Sequence, residues 1–233
     1  MRFWTVWFLA LFSEECMSSP PECSLQAYMN RKIDSLGFHR NIYYNISLET
    51  SCEIDQCKLC IQEMLPSGTF VNTDQLRDLS RTQKLLASVD GNVDIESPAS
   101  ISSQLIVRIL SNLNVLKEQQ FIGTSILPVH TRYQDPQAGG GFKTVNIHKP
   151  ELYIYCPGEY SQVKGEVFLT PCAGDNNTPL PFSKVAYSIS GDDAVLKIDV
   201  PVGNSDNLLL VQMVTVFVTI IGSVYITGVI LKV

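Results

Sequence analysis

The sequence predicts an all-β domain, built as an antiparallel sandwich, that is carried on one C-terminal transmembrane α-helix. Residues 19–206 consist of short apolar runs of strand length, separated by turn residues. Prolines recur through the second half of this region and exclude long helices there. Beyond it, residues 208–231 carry no charge. Many short strands with frequent turn signals are typical of a sandwich, and a long uncharged segment is typical of a membrane span.

The first segment, 1–18, has the pattern of a signal peptide. Arg2 provides a positive start, residues 3–12 form an apolar stretch, and the small side chains of Cys16 and Ser18 favour cleavage after Ser18. A buried amphipathic helix is the alternative. Aromatic residues all round the segment, and its abrupt polar end, disfavour that alternative, so we expect the chain to enter the secretory pathway.

Nine runs in residues 19–206 have the composition of strands: 41–48, 58–65, 104–110, 120–129, 144–148, 152–156, 166–169, 185–189 and 195–200. The last two flank a turn at 190–193 and are expected to form a hairpin. One short helix is expected at 73–84, with Thr73 or Asp74 as its N-cap. The three glycines at 139–141 are expected at a loop tip, because no helix follows them to form a phosphate site.

The uncharged C-terminal segment predicts a helix that spans a membrane. About 24 residues rise about 36 Å as an α-helix, which is enough to cross a hydrocarbon core about 30 Å thick. Asp206 precedes the segment and Lys232 follows it, so the positive-inside rule predicts a lumenal domain at 19–206, a span at 207–231 and a minimal cytosolic end at 232–233. A GPI-attachment signal is the alternative, but the polar spacer that such signals require is nearly absent.

Seven cysteines are present, and removal of Cys16 with the signal peptide leaves an even set. An oxidising compartment favours disulfides among them, although the sequence does not select their pairing. The candidates are Cys23, Cys52, Cys57, Cys60, Cys156 and Cys172. A redox or zinc site is the alternative for the CxxC pair of Cys57 and Cys60. The pair lies in a strand-like run, and neither His39 nor His130 offers the ligand spacing of a zinc site, so structural cysteines are expected.

The search for chemistry gives no catalytic constellation. The sequence holds no GxSxG, HExxH, P-loop or GxGxxG motif, and no Asp-x-Asp pair for the cation of a sugar-nucleotide transferase. A net charge of −6 without a Lys/Arg cluster excludes nucleic-acid binding. Two sequons predict N-glycosylation at Asn45 and Asn176. We therefore expect a glycoprotein with no catalytic residue, no cofactor and no metal.

Six runs of the sequence, taken in order, point to one family. They are GFHR at 37–40, CKLCIQEMLPSGTFVNTDQL at 57–76, DIESP at 94–98, ILPVHTRYQDP at 126–136, PELYIYC at 150–156 and VPVG at 200–203. In this order they resemble the phosphatidylinositol-glycan biosynthesis class X (PIG-X) family over residues 23–233. The element Pro-Val-His-x-Arg-Tyr-x-x-Pro is the most specific of them. Cys60 departs from the pattern, because it stands where an aliphatic residue is expected.

The resemblance implies a non-catalytic subunit of GPI mannosyltransferase I, held as a single-pass type I protein in the endoplasmic reticulum membrane. In that family the partner is PIG-M, a multi-spanning enzyme that transfers the first mannose from dolichol-phosphate mannose to the GPI precursor, and the X subunit binds and stabilises it. Because the cytosolic end is so short, association with the partner has to retain the chain. A cell-surface adhesion or receptor-like ectodomain is the alternative, since it has the same signal peptide, sandwich, sequons and anchor.

Two groups of residues are candidates for contact with that partner. His130, Arg132 and Tyr133 follow an apolar strand, although the same residues would also serve to lock the sandwich. On the membrane helix, hydroxyl side chains recur at four-residue spacing: Thr215, Thr219, Ser223 and Thr227. Gly222 lies near this stripe, so a neighbouring helix is able to approach closely there. In the alternative, each hydroxyl bonds its own preceding turn and faces lipid.

Overall fold

The computed structural model describes residues 24–34, 37–51, 56–157, 167–170, 172, 180–189 and 191–231. Several predictions fall outside the described residues: the signal peptide at 1–18, Cys16, Cys23, Cys52, the sequon at Asn176 and the C-terminal end at 232–233. Within the described ranges the chain forms a β-rich domain followed by a long helix, as predicted.

The strands are β1 (Leu25–Ile33), β2 (His39–Thr50), β3 (Lys58–Leu65), β4 (Thr69–Phe70), β5 (Leu86–Asp90), β6 (Leu105–Asn112), β7 (Asn114–Lys117), β8 (Gln120–Thr131), β9 (Gly141–His148), β10 (Glu151–Tyr155), β11 (Val167–Thr170), β12 (Leu180–Val185), β13 (Tyr187–Ile189) and β14 (Val195–Val202). The α-helices are α1 (Thr73–Arg81) and α2 (Leu208–Ile230). Two short 3₁₀ turns cover Gly191–Ala194 and Ser205–Asn207.

The strands form two six-stranded sheets and one separate pair. The first sheet has the order β13-β1-β2-β8-β4, with β7 also paired to β8, and the second has the order β11-β12-β10-β3-β6-β5. Strands β9 and β14 pair with each other. These pairings are antiparallel, except that β1 and β13 run parallel. The prediction of an antiparallel sandwich is confirmed.

A period of two in burial explains why these runs fold into a sandwich. In β2, Ile42, Ile46 and Leu48 are fully buried and alternate with residues that face the other side of the first sheet. In β3 of the second sheet, Leu59 and Ile61 do the same. The two apolar faces meet in one hydrophobic core, which the inner face of the β9–β14 pair also joins. Burial of this kind contributes roughly 25 cal/mol for each Å² of apolar surface removed from water.

The hairpin predicted at residues 185–200 is wrong. β13 is hydrogen-bonded to β1 and β14 to β9, and the two strands do not pair with each other. A 3₁₀ turn at Gly191–Ala194 carries the chain away, and β14 pairs with β9 through eight registered positions from Val195↔His148 to Val202↔Gly141. Buried Leu196 and Ile198 fix that register, because a shift of one residue would expose both.

The short helix is confirmed as α1, although its predicted N-cap is wrong. Asn72 is the cap, and its side-chain oxygen accepts hydrogen bonds from the backbone N–H groups of Asp74 and Gln75 at 2.9 and 3.3 Å. An Asx side chain one position earlier reaches the free N–H groups of the first turn better than Thr73 or Asp74 would from inside the helix.

Helix α2 is apolar over its whole length and separate from the core of the domain. Its 23 residues rise about 34 Å, and none of its side chains is buried by the other residues that the structure describes. The segment Ser205–Ile230 contains an 18-residue window with a mean hydropathy of 2.2, so it is long and apolar enough to cross a membrane. A helix that is apolar all round and unburied needs lipid or a partner helix around it.

Candidate functional site

A buried ion pair joins the two sheets of the sandwich. The guanidinium of Arg31 on β1 lies 2.9 and 3.1 Å from the two carboxylate oxygens of Glu63 on β3. Neither side chain is exposed to solvent. The other terminal nitrogen of Arg31 donates to the backbone carbonyls of Ile147 on β9 and Ala194 before β14, at 2.9 and 3.0 Å. One side chain therefore fastens the first sheet to the second and to the β9–β14 pair.

Tyr44 completes this network from β2. Its hydroxyl donates to Glu63 Oε2 at 2.7 Å, and its side chain is almost fully buried. Burial raises the pKa of Glu63 to about 7, while Arg31 and the Tyr44 hydroxyl oppose that shift. Burial and the neighbouring Glu63 raise the pKa of Tyr44 well above its ordinary value. Because each group of the network has a hydrogen-bonded partner, its role is to hold the sandwich together.

The two cysteines of the CxxC pair point to opposite faces of the second sheet. Residues three apart in a strand face opposite sides, so Cys57 joins the main core and Cys60 joins a smaller cluster outside the sheet. Cys57 is bonded to Cys156 and Cys60 to Cys172, across 99 and 112 residues of sequence. A redox pair requires the two sulfurs on one side, so the structural interpretation of these four cysteines agrees with the geometry.

His130 and Arg132 are buried, and they lock a corner of the domain. The His130 ring lies 3.1 Å from Gln75 Oε1 of α1 and stacks on Phe70 with ring centroids 5.0 Å apart. The pKa of His130 is lowered, because burial disfavours its charged form and His39 adds like-charge repulsion. Arg132 donates through Nη1 to the carbonyls of Asp94 and Ser97, at 2.5 and 2.7 Å. These two side chains pin α1 and the loop before β6 to the end of β8.

Tyr133 differs from both. Its side chain is 74 % exposed and packs against the ring of Phe38 in a tilted arrangement, with centroids 5.3 Å apart. Of the three neighbouring candidates for partner contact, Tyr133 is the one whose side chain is available to another molecule. Phe38, which is also partly exposed, extends the same aromatic surface and was not a sequence candidate.

The hydroxyl groups of the stripe on α2 form hydrogen bonds within their own helix, which is the alternative that the sequence left open. Thr215, Thr219, Ser223 and Thr227 each donate to the carbonyl four residues earlier, at 2.7 to 2.8 Å. The hydroxyls are thus satisfied without a partner. They remain a small-residue surface beside Gly222, where an added Cβ would meet no described atom within 4 Å apart from its neighbours in the same helix.

Sequence reasoning missed the buried network because β1 itself was not predicted. Arg31 occupies a core position of that strand, following buried Ala27 and Met29 at a spacing of two. The detectable signal was Glu63, a carboxylate in phase with Leu59 and Ile61 on the buried face of a predicted strand. Asn45, the sequon residue that the structure describes, is exposed on the outer face of β2. Among the described residues no group of three or more His, Cys, Asp or Glu side chains is placed to hold a metal ion.

Comparison with known proteins gives a consistent result. Residues 35–231 match the PIG-X / PBN1 family. A human protein named GPI alpha-1,4-mannosyltransferase I, stabilizing subunit, is 30 % identical over 204 residues, which cover 84 % of this chain and 76 % of the relative. A mouse protein of the same name is 26 % identical over 242 residues, covering 96 % and 91 %. Protein pbn1 of Schizosaccharomyces pombe is 23 % identical over 198 residues, covering 82 % and 55 %. No solved structure matches the chain.

Proposed function

Because this chain belongs to the PIG-X / PBN1 family, we propose that it is the stabilising subunit of GPI mannosyltransferase I, the complex that adds the first mannose to the GPI-anchor precursor. The observation that carries the proposal is the match over residues 35–231, which includes the β-domain from β2 onward and the apolar helix. Two mammalian relatives with this name match 84 % and 96 % of the chain. Family membership favours this role over a cell-surface adhesion or receptor protein.

We place catalysis in the partner chain, a multi-spanning mannosyltransferase of the PIG-M type. The polar side chains buried in this domain support a scaffold, because Arg31, Glu63 and Tyr44 are used to join its sheets and are out of reach of a substrate. His130 and Arg132 are likewise used to hold a loop and a helix.

We propose that the chain is a type I protein of the endoplasmic reticulum membrane, with the domain in the lumen. The disulfides Cys57–Cys156 and Cys60–Cys172 support an oxidising compartment, which the lumen provides. Asn45 supports it too, since its exposed side chain is open to glycosylation. The helix α2 supplies the anchor.

Two surfaces are proposed to meet the partner. One is the hydroxyl stripe of α2, where small side chains beside Gly222 permit a close helix–helix approach. The other is the exposed ring of Tyr133 at the end of β8, since large exposed aromatic side chains are common at the centre of interfaces. The two surfaces belong to different parts of the chain, so their contributions are separable by mutation.

The experiment is a rescue of cells that lack this protein. Loss of the chain is expected to lower both the steady-state level of the mannosyltransferase and GPI-anchored proteins at the cell surface, and the wild-type chain is expected to restore both. Unchanged levels in the knockout would overturn the proposal. Asn45-linked glycans are expected to stay sensitive to endoglycosidase H, whereas resistance would place the chain beyond the endoplasmic reticulum.

Helix variants then test the contact surface. T219L/S223L enlarges the stripe and is expected to reduce recovery of the mannosyltransferase on purification from mild detergent. F217L/I221L is the matched control, because those residues lie about 180° round the helix. Equal recovery with both variants would remove the stripe from the interface and leave it part of a plain anchor. Y133A in the same assay tests the aromatic surface.

A further inference from the structure

The loop at 137–141, which we call the glycine loop, is hydrogen-bonded to the stalk at 203–207 that leads into α2. The Gln137 N–H donates to the Gly203 carbonyl at 3.0 Å, and the Ser205 N–H donates to the Gln137 carbonyl at 3.0 Å. These bonds lie at the point where the domain ends and the apolar helix begins.

Side chains of the stalk reinforce the contact. Asp206 Oδ2 accepts a hydrogen bond from the Gly139 N–H at 3.0 Å, and Asn204 Oδ1 lies 3.2 Å from the same nitrogen. Asn204 Oδ1 also accepts from the Asp206 N–H at 2.9 Å, which starts the 3₁₀ turn Ser205–Asn207. The turn continues directly into α2. Every residue of the stalk therefore lies in a defined turn or hydrogen bond.

This contact explains why three consecutive glycines occur in the loop. Gly139, Gly140 and Gly141 have φ angles of +78°, +67° and +112°, a region that other residues rarely adopt. A Cβ on Gly140 would lie 3.2 Å from Asn204 Cβ and 3.4 Å from the Val202 carbonyl oxygen. The loop fits against the stalk because it has no side chains there.

This contact brings an exposed aromatic residue close to the membrane. Asp206 precedes the first residue of α2 by two positions, or about 3 Å of helical rise, so Gly139 lies near the level of the lipid headgroups. Phe142 follows Gly139 by three residues, a reach of about 10 Å at most. It pairs with Pro201 on β14, and its side chain is 70 % exposed. Aromatic side chains are favoured at the membrane–water interface.

We propose that the glycine loop is a rigid clamp that seats the domain on the membrane surface, with Phe142 inserted among the lipid headgroups beside α2. A domain on a flexible stalk would sample many orientations. Clamped through the bonds from Gln137 and Gly139 to the stalk, the domain keeps one end against the bilayer. This inference concerns lipid, and it holds independently of the enzyme that the chain stabilises.

The test uses tryptophan fluorescence in vesicles of phosphatidylcholine that carries bromine atoms close to its headgroup. Trp4 and Trp7, the two tryptophans of the sequence, lie in the predicted signal peptide and are replaced by phenylalanine so that uncleaved chains add no fluorescence. F142W then reports contact with lipid, and V115W is the matched control. Val115 is 71 % exposed and pairs with Phe121 at the start of β8. Phe121 lies about 30 Å along β8 from His130, and it is the His130 end of β8 that leads on to the glycine loop. Val115 therefore lies at the opposite end of β8. The full chain is the only protein in the vesicles, so quenching reports lipid alone.

Quenching of F142W several-fold above that of V115W is the expected result. In the F142W background, D206A and G140V open the clamp, and each is expected to lower quenching toward the V115W level. Circular dichroism checks that the variants keep their strands. Quenching of F142W no greater than that of V115W would overturn the proposal, as would quenching that both clamp variants leave unchanged. A second sample adds the mannosyltransferase to the vesicles. Protection of F142W from the aqueous phase that is seen only in this second sample would make the surface a protein contact and would also overturn the proposal.

Discussion

Arg31 and Glu63 form an ion pair that spans the two sheets of the sandwich, with Nη1 and Oε2 2.9 Å apart and both side chains fully buried. Buried charges of this kind are poor sources of net stability, because desolvation costs nearly as much as the attraction returns. Removal of one partner, however, leaves an uncompensated charge in the core. Because Arg31 lies on β1 and Glu63 on β3, the two charges meet only when both sheets are formed and packed on each other.

The first prediction concerns this pair. E63A is expected to lower the free energy of unfolding by about 3–5 kcal/mol, because it leaves the Arg31 guanidinium buried without its carboxylate. The control is R77A, which breaks an exposed pair with Asp74 and is expected to cost less than about 1 kcal/mol. Thermal unfolding of the detergent-solubilised chain, followed by circular dichroism, measures both. Equal losses would contradict the structural role of the buried pair.

The second prediction concerns pH. Burial raises the pKa of Glu63 from 4.5 to about 7, so between these values the folded domain binds more protons at this site than the unfolded chain. The contribution of Glu63 to the free energy of unfolding is therefore greatest below about pH 4.5 and is lost as the pH rises through about 7. A shift of this size corresponds to roughly 3 kcal/mol. Arg31 and Tyr44 are the charged and titratable groups bonded to it.

The measurement is the difference in melting temperature between wild type and E63Q at a series of pH values. Other carboxyl groups act in the opposite direction, because hydrogen bonds lower the pKa values of Asp94 and Glu151. Taking the difference removes their contribution. The wild-type advantage over E63Q is expected to shrink as the pH rises from about 5 to about 8. Parallel curves would contradict the raised pKa of Glu63.

The third prediction concerns the disulfides. C60S and C172S are each expected to lower the free energy of unfolding by about 2–5 kcal/mol, and the double variant is expected to lose no more than either alone, because each removes the same bond. Digestion under non-reducing conditions followed by mass spectrometry should recover peptides that join Cys57 to Cys156 and Cys60 to Cys172. A peptide that joins Cys57 to Cys60 would contradict the structure and restore the redox interpretation.

The fourth prediction concerns the N-cap of α1. N72A removes the acceptor for the N–H groups of Asp74 and Gln75 and is expected to cost about 1 kcal/mol. T73A is the matched control, since the exposed Thr73 side chain makes none of the capping bonds, and its cost is expected within about 0.5 kcal/mol. Thermal unfolding distinguishes the two. A larger loss of unfolding free energy from T73A than from N72A would indicate that Thr73, which the sequence suggested, is the N-cap.

Alternation of apolar and polar residues was enough to predict the central strands. β2 carries a clean period of two, β3 follows it except at buried Cys60, and α2 carries a long uncharged run. β1 was missed because the charged Arg31 stands at one of its buried positions. The partner that allows this charge to be buried, Glu63, lies in a strand of the other sheet. Local pattern carries no information about such a contact.

The failures in pairing share one physical cause. β13 and β14 are neighbours in sequence, and a Gly-Asp turn between them favours a hairpin locally. Packing decides otherwise, because β14 buries Leu196, Ile198 and Val200 only when it lies against β9. The disulfides are similar, since the sequence supplies the cysteines and only the antiparallel pairing of β3 with β10 brings Cys57 to Cys156. At the proposed contact surfaces, Tyr133 was found from its motif, whereas Phe38 required the folded structure.

The place of β14 in the chain has a consequence for biosynthesis. β14 ends at Val202 and α2 starts at Leu208, so the final strand of the sandwich leaves the ribosome immediately before the membrane helix. Until then β9 lacks the strand with which it pairs in the described part of the chain, and β1, the first strand described, lacks β13. The domain cannot close before β14 has been made. Its folding is completed only as the anchor itself is being synthesised, at the membrane.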